Sequence, residues 1–134
     1  MRLGLYEIEP GAHLSGADLR GAVLVDANLS NVVLYGARLN GARLNGSNLT
    51  GANLTEADLS GADLSHANLT CANLSHSNLS GADLSHANLT GANLTAANLT
   101  AANVRGTYMT GAALHGANLT DVDLRLANGY PGFK

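Results

Sequence analysis

A leucine that returns every five residues constrains this 134-residue chain more than any other feature. Aligned on Leu14, the sequence reads AHLSG, ADLRG, AVLVD, ANLSN, VVLYG, ARLNG, ARLNG, SNLTG, ANLTE, ADLSG and onward. The register holds from Ala12 to Leu126, which is 23 pentapeptides, and Leu stands at every centre except Val104 and Met109. Two places before each centre stands Ala, replaced by Val32, Ser47, Ser77, Thr107 and Val122 and never by a charge. Between them usually lies a polar residue, most often Asn or Asp, and after the centre usually comes Ser, Thr, Asn or Arg.

An α-helix cannot use this pattern. At about 100° per residue, a step of five carries each Leu about 140° round the axis and leaves no apolar stripe. In an extended backbone, residues two apart point the same way, so Ala and Leu share an inner face. Recurrent Gly, Asn and Asp suit corners, where the chain turns through unusual backbone angles. A second period sets the coil. GADLSHANLT occupies 61–70 and again 81–90, while Gly21, Gly41, Gly61 and Gly81 recur at 20 residues. Four units per coil then give nearly six coils over residues 12–126.

The tandem A-[DN]-L-x-x motif over residues 12–126 resembles the pentapeptide-repeat family. That resemblance implies an all-β fold, a right-handed quadrilateral β-helix with four pentapeptides per coil and the central residue and the one two before it pointing inward. Coils should lie about 4.8 Å apart. Each buried Leu should contribute roughly 1.5–3 kcal/mol before entropy is subtracted. No unit buries its Leu alone, so stability is collective.

The ends break the pattern. Residues 1–11 place Gly4 and Glu9 where centres would fall, and Leu3, Leu5 and Ile8 are expected to cover the first coil. At the other end, residues 127–134 offer Tyr130, Pro131 and Phe133 as a cover. Such covers guard open strand edges against end-to-end association.

The formal net charge of -3 is too weak for nucleic-acid binding or a strong acidic mimic. Cys71 is the only cysteine, so no intrachain disulfide forms. The opening residues lack a long apolar segment, and no stretch approaches the roughly 18–20 apolar residues of a membrane helix. The expectation is a monomeric cytoplasmic rod, with end-to-end or side-by-side dimers as variants.

Asp63-Leu-Ser-His66 and its copy Asp83-Leu-Ser-His86 carry an acid, a hydroxyl and an imidazole. A catalytic triad must converge and be shielded from water, and a convex rod does neither. His66 and His86 should instead stack on one corner, about 4.8 Å apart. Two imidazoles fall short of the three or four ligands of a metal site, and the expectation is no metal, no cofactor and no catalysis. The contact candidates on the outside are Tyr35, Arg38, Arg43, Arg105, Tyr108 and His115, which depart from the repeat, together with Asp63, His66, Asp83 and His86.

These residues point to a non-catalytic structural or interaction solenoid with an unidentified protein partner. The resemblance adds a bacterial, and in particular a cyanobacterial, setting. It also implies an alternative, since some members of the family protect DNA gyrase by imitating DNA. Glu56, Asp58, Asp63 and Asp83 make a modest acidic patch for that role, countered by Arg38 and Arg43. A remoter alternative is ice binding by the column of Ser30, Thr50, Thr70, Thr90 and Thr110 beside Asn28, Asn48, Asn68 and Asn88.

Overall fold

The computed structural model describes residues 1–129. Within them the chain winds so that residues 20 apart pair as parallel neighbours. Four ladders run along the rod. They begin at His13, Asp18, Val23 and Asn28 and climb, for example, from Val23 through Arg43, Asp63 and Asp83 to Asn103. The four sides are named below by these first residues.

One unit shows how the backbone is satisfied. Leu69 N–H donates to Asn88 O at 2.7 Å, and Asn88 N–H donates to Ala67 O at 2.9 Å. At the corner, Cys71 N–H donates to Thr90 O at 3.0 Å and Ala72 N–H closes the turn on Leu69 O at 3.0 Å. Polar groups that could not be left dry are therefore paired with the adjacent coil or within the turn.

Inside, Leu and Ala line the bore. The centres from Leu24 to Met109 are at most 2% exposed. Ser47, Ser77 and Thr107 take Ala positions and are also buried. Ser77 Oγ donates to Leu74 O and Thr107 Oγ1 to Leu84 O, whereas Ser47 Oγ has no partner. A buried hydroxyl without a partner costs on the order of 1–3 kcal/mol. Ser47→Ala is therefore expected to raise stability by about 1 kcal/mol, and Ser77→Ala to change it much less, as read by chemical denaturation.

Every fifth residue from 11 to 121 adopts a left-handed backbone, with φ between 56° and 72°. Thirteen of these corners are Gly and ten are not, among them His66, Cys71, His76, His86, Ala96 and Ala101. Left-handed geometry costs a residue with a Cβ roughly 1–2 kcal/mol. Ala101 has no side-chain polar group to offset this, so Ala101→Gly should stabilise by about 1 kcal/mol in the same assay.

The outer polar code is local. In most units the Asn or Asp before the centre accepts the backbone N–H two residues on. Thr70 N–H and Oγ1 both donate to Asn68 Oδ1, at 3.0 and 2.6 Å, and Ser65 treats Asp63 Oδ1 alike. Asn or Asp followed two places later by Ser or Thr is thus a self-contained clamp on each side.

The N-terminal residues form a hairpin of β1 (Arg2–Leu3) and β2 (Tyr6–Glu7), turned at Gly4. Ile8 is buried and Leu3 and Tyr6 pack against the core. Leu5 does not cover the first coil: it sits at the hairpin turn and is 88% exposed. Tyr6 does what was expected of Leu5, since its hydroxyl accepts the otherwise open Asp18 N–H at 3.1 Å.

Near the other end, the side centred on Leu124 does not join the Val23 ladder. Residues Leu124–Leu126 form a 3-10 turn capped by Asp123, and pairing resumes between Tyr108 and Asn128. Leu114, Leu119 and Leu124 are only half-buried. Tyr130, Pro131 and Phe133 lie outside the described residues.

Candidate functional site

The ladders distribute the ten contact candidates unevenly. Tyr35 and His115 lie on the His13 side, in different coils, and Arg38 lies on the Asp18 side between Asp18 and Asp58. Arg43, Asp63 and Asp83 follow one another on the Val23 side, with Arg105 on the same side next to Asn103. His66 and His86 occupy the corner that ends this side, and Tyr108 begins the adjoining Asn28 side. Six of the ten, Asp63, His66, Asp83, His86, Arg105 and Tyr108, therefore gather round one corner.

The two imidazoles stack there, with ring centres 5.0 Å apart and planes 16° from parallel. Both sit at φ 59°, where the left-handed turn throws the side chain outward and along the column. The His86 ring lies over Gly106, so near that a Cβ at Gly106 would come within 2.5 Å of His86 Nδ1. Below the pair, the corner is Gly46, with the Asp26 side chain lying across it. Asp63 is clamped by Ser65, while Asp83 Oδ1 accepts from Ser85 N–H at 2.9 Å and from Asn103 Nδ2 at 3.3 Å. Tyr108 is 52% exposed.

The remaining ionic contacts are local pairs on the outer surface. Arg20 grips Asp18 with Nε and NH2, and Arg125 grips Asp123 in the same way. The Arg20 side chain, and then its backbone N–H, hold the Asp18 carboxyl well below its ordinary 3.8, at about 2. A carboxyl depressed in the folded state adds stability that is complete above its unfolded value and lost as pH falls through the folded one. Asp18→Asn should therefore flatten the acid branch of the stability profile between about pH 4 and pH 2, measured by urea unfolding at each pH. Tyr35 donates to Glu56 Oε2 at 3.0 Å, which raises the phenol.

A shallow open cleft of about 440 Å³ lies between the hairpin and the first coil, lined by Leu5, Tyr6, Glu9 and His13 among others. None of the ten candidates reaches it. Among the described residues no three His, Cys, Asp or Glu side chains converge as metal ligands, and Cys71 is an exposed corner thiol. No helix among them is long and apolar enough to cross a membrane.

A family profile described as Pentapeptide repeats matches in eight copies across residues 12–51, 34–70, 47–86 and 87–125. The chain belongs to the pentapeptide-repeat family, whose structures are right-handed quadrilateral β-helices and whose members are generally structural or interaction proteins. A pentapeptide repeat protein from the cyanobacterium Cyanothece is 31% identical, over 83% of this chain and 82% of that chain, with a TM-score of 0.54. One from Nostoc is 46% identical over 60% of this chain and 62% of that one, with a TM-score of 0.50. QnrB1, a plasmid-mediated fluoroquinolone resistance protein, shares 22% identity over 89% of this chain and 68% of that chain. Its TM-score of 0.69 marks a likeness of fold alone. No curated protein sequence matches the chain.

Proposed function

We propose that this chain is a non-catalytic interaction rod that docks a protein partner at the corner carrying His66 and His86 and on the adjoining Val23 side. About six coils form the rod, with residues 1–11 and 127–134 as its end covers, and it acts in the cytoplasm. The observation that carries the reading is the gathering of six of the ten contact candidates, Arg105 and Tyr108 with the two Asp and His pairs, round one corner of an otherwise uniform Asn, Ser and Thr surface. Exposed Tyr and Arg are the side chains most often found at the energetic centre of interfaces. A convex corner also suits contact with a surface better than capture of a small substrate.

A photo-crosslinking residue at position 85, beside that corner, should trap a discrete partner in the native host. The same residue at position 95, on the His13 side, should not. Equal capture from both positions would remove the assignment of the surface.

DNA mimicry toward a topoisomerase is a second reading, favoured by the carboxylates of Glu56, Asp58, Asp63 and Asp83 in the middle coils. Arg38, Arg43 and Arg105 interrupt that charge on the same two sides. The interaction reading expects gyrase supercoiling to be unaffected by the purified protein, and inhibition would favour mimicry. For ice binding, the Asn–Thr clamps recur on the His13 and Asp18 sides, so they mark out no single face.

A further inference from the structure

Asn followed by Gly occurs three times in the chain, at Asn40–Gly41, Asn45–Gly46 and Asn128–Gly129. Such a pair can react with itself, because glycine has no side chain to keep its backbone nitrogen away from the asparagine amide carbon. The nitrogen loses its proton to hydroxide and attacks Cγ. A new C–N bond forms, the Cγ–Nδ2 bond breaks, and the side-chain nitrogen leaves as ammonia. Water then opens the cyclic imide at either carbonyl, leaving aspartate or isoaspartate. Water is the only co-reactant.

The fold treats the three pairs differently. Gly41 N–H donates to Ser60 O and Gly46 N–H donates to Ser65 O, both at 2.9 Å, in interior coils. Loss of that proton requires local opening, as hydrogen exchange does, and opening is rarest in a packed interior. The side-chain carbonyls are withdrawn from water as well: Asn40 Oδ1 and Asn45 Oδ1 are buried and have no hydrogen-bond partner. Negative charge developing on such an oxygen would lack solvation. Asn128 and Gly129, in contrast, are both exposed, and the Gly129 N–H has no acceptor among the described residues. The Asn128 side chain makes one long contact, from Nδ2 to Gly106 O at 3.3 Å.

We propose that Asn128–Gly129 is a self-modifying site that converts to aspartate and isoaspartate in the folded chain, while ladder bonds keep the same dipeptide intact at 40 and 45. The site lies on the last bridge among the described residues, Tyr108 with Asn128. There Asn128 N–H donates to Thr107 O at 2.7 Å, and the Asn128 carbonyl accepts Met109 N–H at 2.8 Å. Either product removes the Nδ2 donor and adds a negative charge. Isoaspartate also lengthens the main chain by one carbon at the bridge. The reaction therefore acts on the end coil and spares the interior ones, and it needs no partner protein.

The test is to age the full chain in mildly alkaline buffer, with and without urea, and to follow each pair by tryptic peptide mapping. Arg38, Arg43, Arg105 and Arg125 place the three pairs in separate peptides. Mass spectrometry reads the change from amide to acid, and chromatography separates the two acids. In the native chain, conversion at 128 should be at least about tenfold faster than at 40 or 45, since even 1.4 kcal/mol of opening cost is a factor of ten. In urea all three should convert at comparable rates. Native conversion at 40 or 45 that matches 128 would overturn the proposal. So would protection of 40 and 45 that persists in urea, because it would then belong to the local sequence and not to the ladder.

Discussion

Leu69→Ala is expected to lower the unfolding free energy by about 2–5 kcal/mol, the range for removing a fully buried Leu from a bore that cannot collapse. Leu69 is 0% exposed, and the Leu centres 20 residues below and above it, Leu49 and Leu89, are equally buried. Its own N–H and carbonyl are fixed in the ladder and the turn, so the neighbouring coils cannot move inward to fill the space. The same substitution at Leu119, which is only half-buried in the last regular coil, should cost less than half as much. Urea denaturation of the two variants checks this contrast. Equal losses would mean that the coils do not share one continuous core.

The second large effect is expected at Gly106. Gly106→Ala places a Cβ both in a left-handed corner, φ 69°, and against the His86 ring. The backbone contributes roughly 1–2 kcal/mol, and forcing an atom into filled space adds about 1–3 kcal/mol. Gly116→Ala incurs the backbone cost alone, because only Ala96 backbone atoms lie near, at 3.8 Å. Replacing His86 by Gly should restore the excess loss at 106 and leave the loss at 116 unchanged. That double-mutant comparison measures how firmly the ring is seated.

The interior was legible in the sequence because each pentapeptide repeats the same physical instruction. Leu and Ala at the centre and two places before it set the bore, and the 20-residue recurrence of GADLSHANLT placed His66 beneath His86. The ends were less legible, since they lack the repeat that makes each position predictable. Leu5 has the composition of a cover but falls at the turn of β1 and β2, whereas Tyr6 reaches Asp18 through a hydroxyl that no hydrophobic pattern reports. The 3-10 turn at Leu124–Leu126 was hidden for the opposite reason: the register of five continues through it unchanged. At the candidate site, the stacking and the charged side could be read from spacing. The seating of His86 on Gly106 could not, because it depends on which way a left-handed corner throws its side chain.

The most direct test of the architecture is a pair of short deletions in the same coil. Removing residues 91–95 takes out one whole pentapeptide, so every later Leu still faces the bore. Removing residues 91–94 shifts the register by one and turns every later Leu toward the outer surface. Thermal unfolding followed by far-ultraviolet circular dichroism should show a cooperative transition for the five-residue deletion and none for the four-residue deletion. Cooperative unfolding of both, or loss of the transition in both, would contradict a rod built from interchangeable units of five.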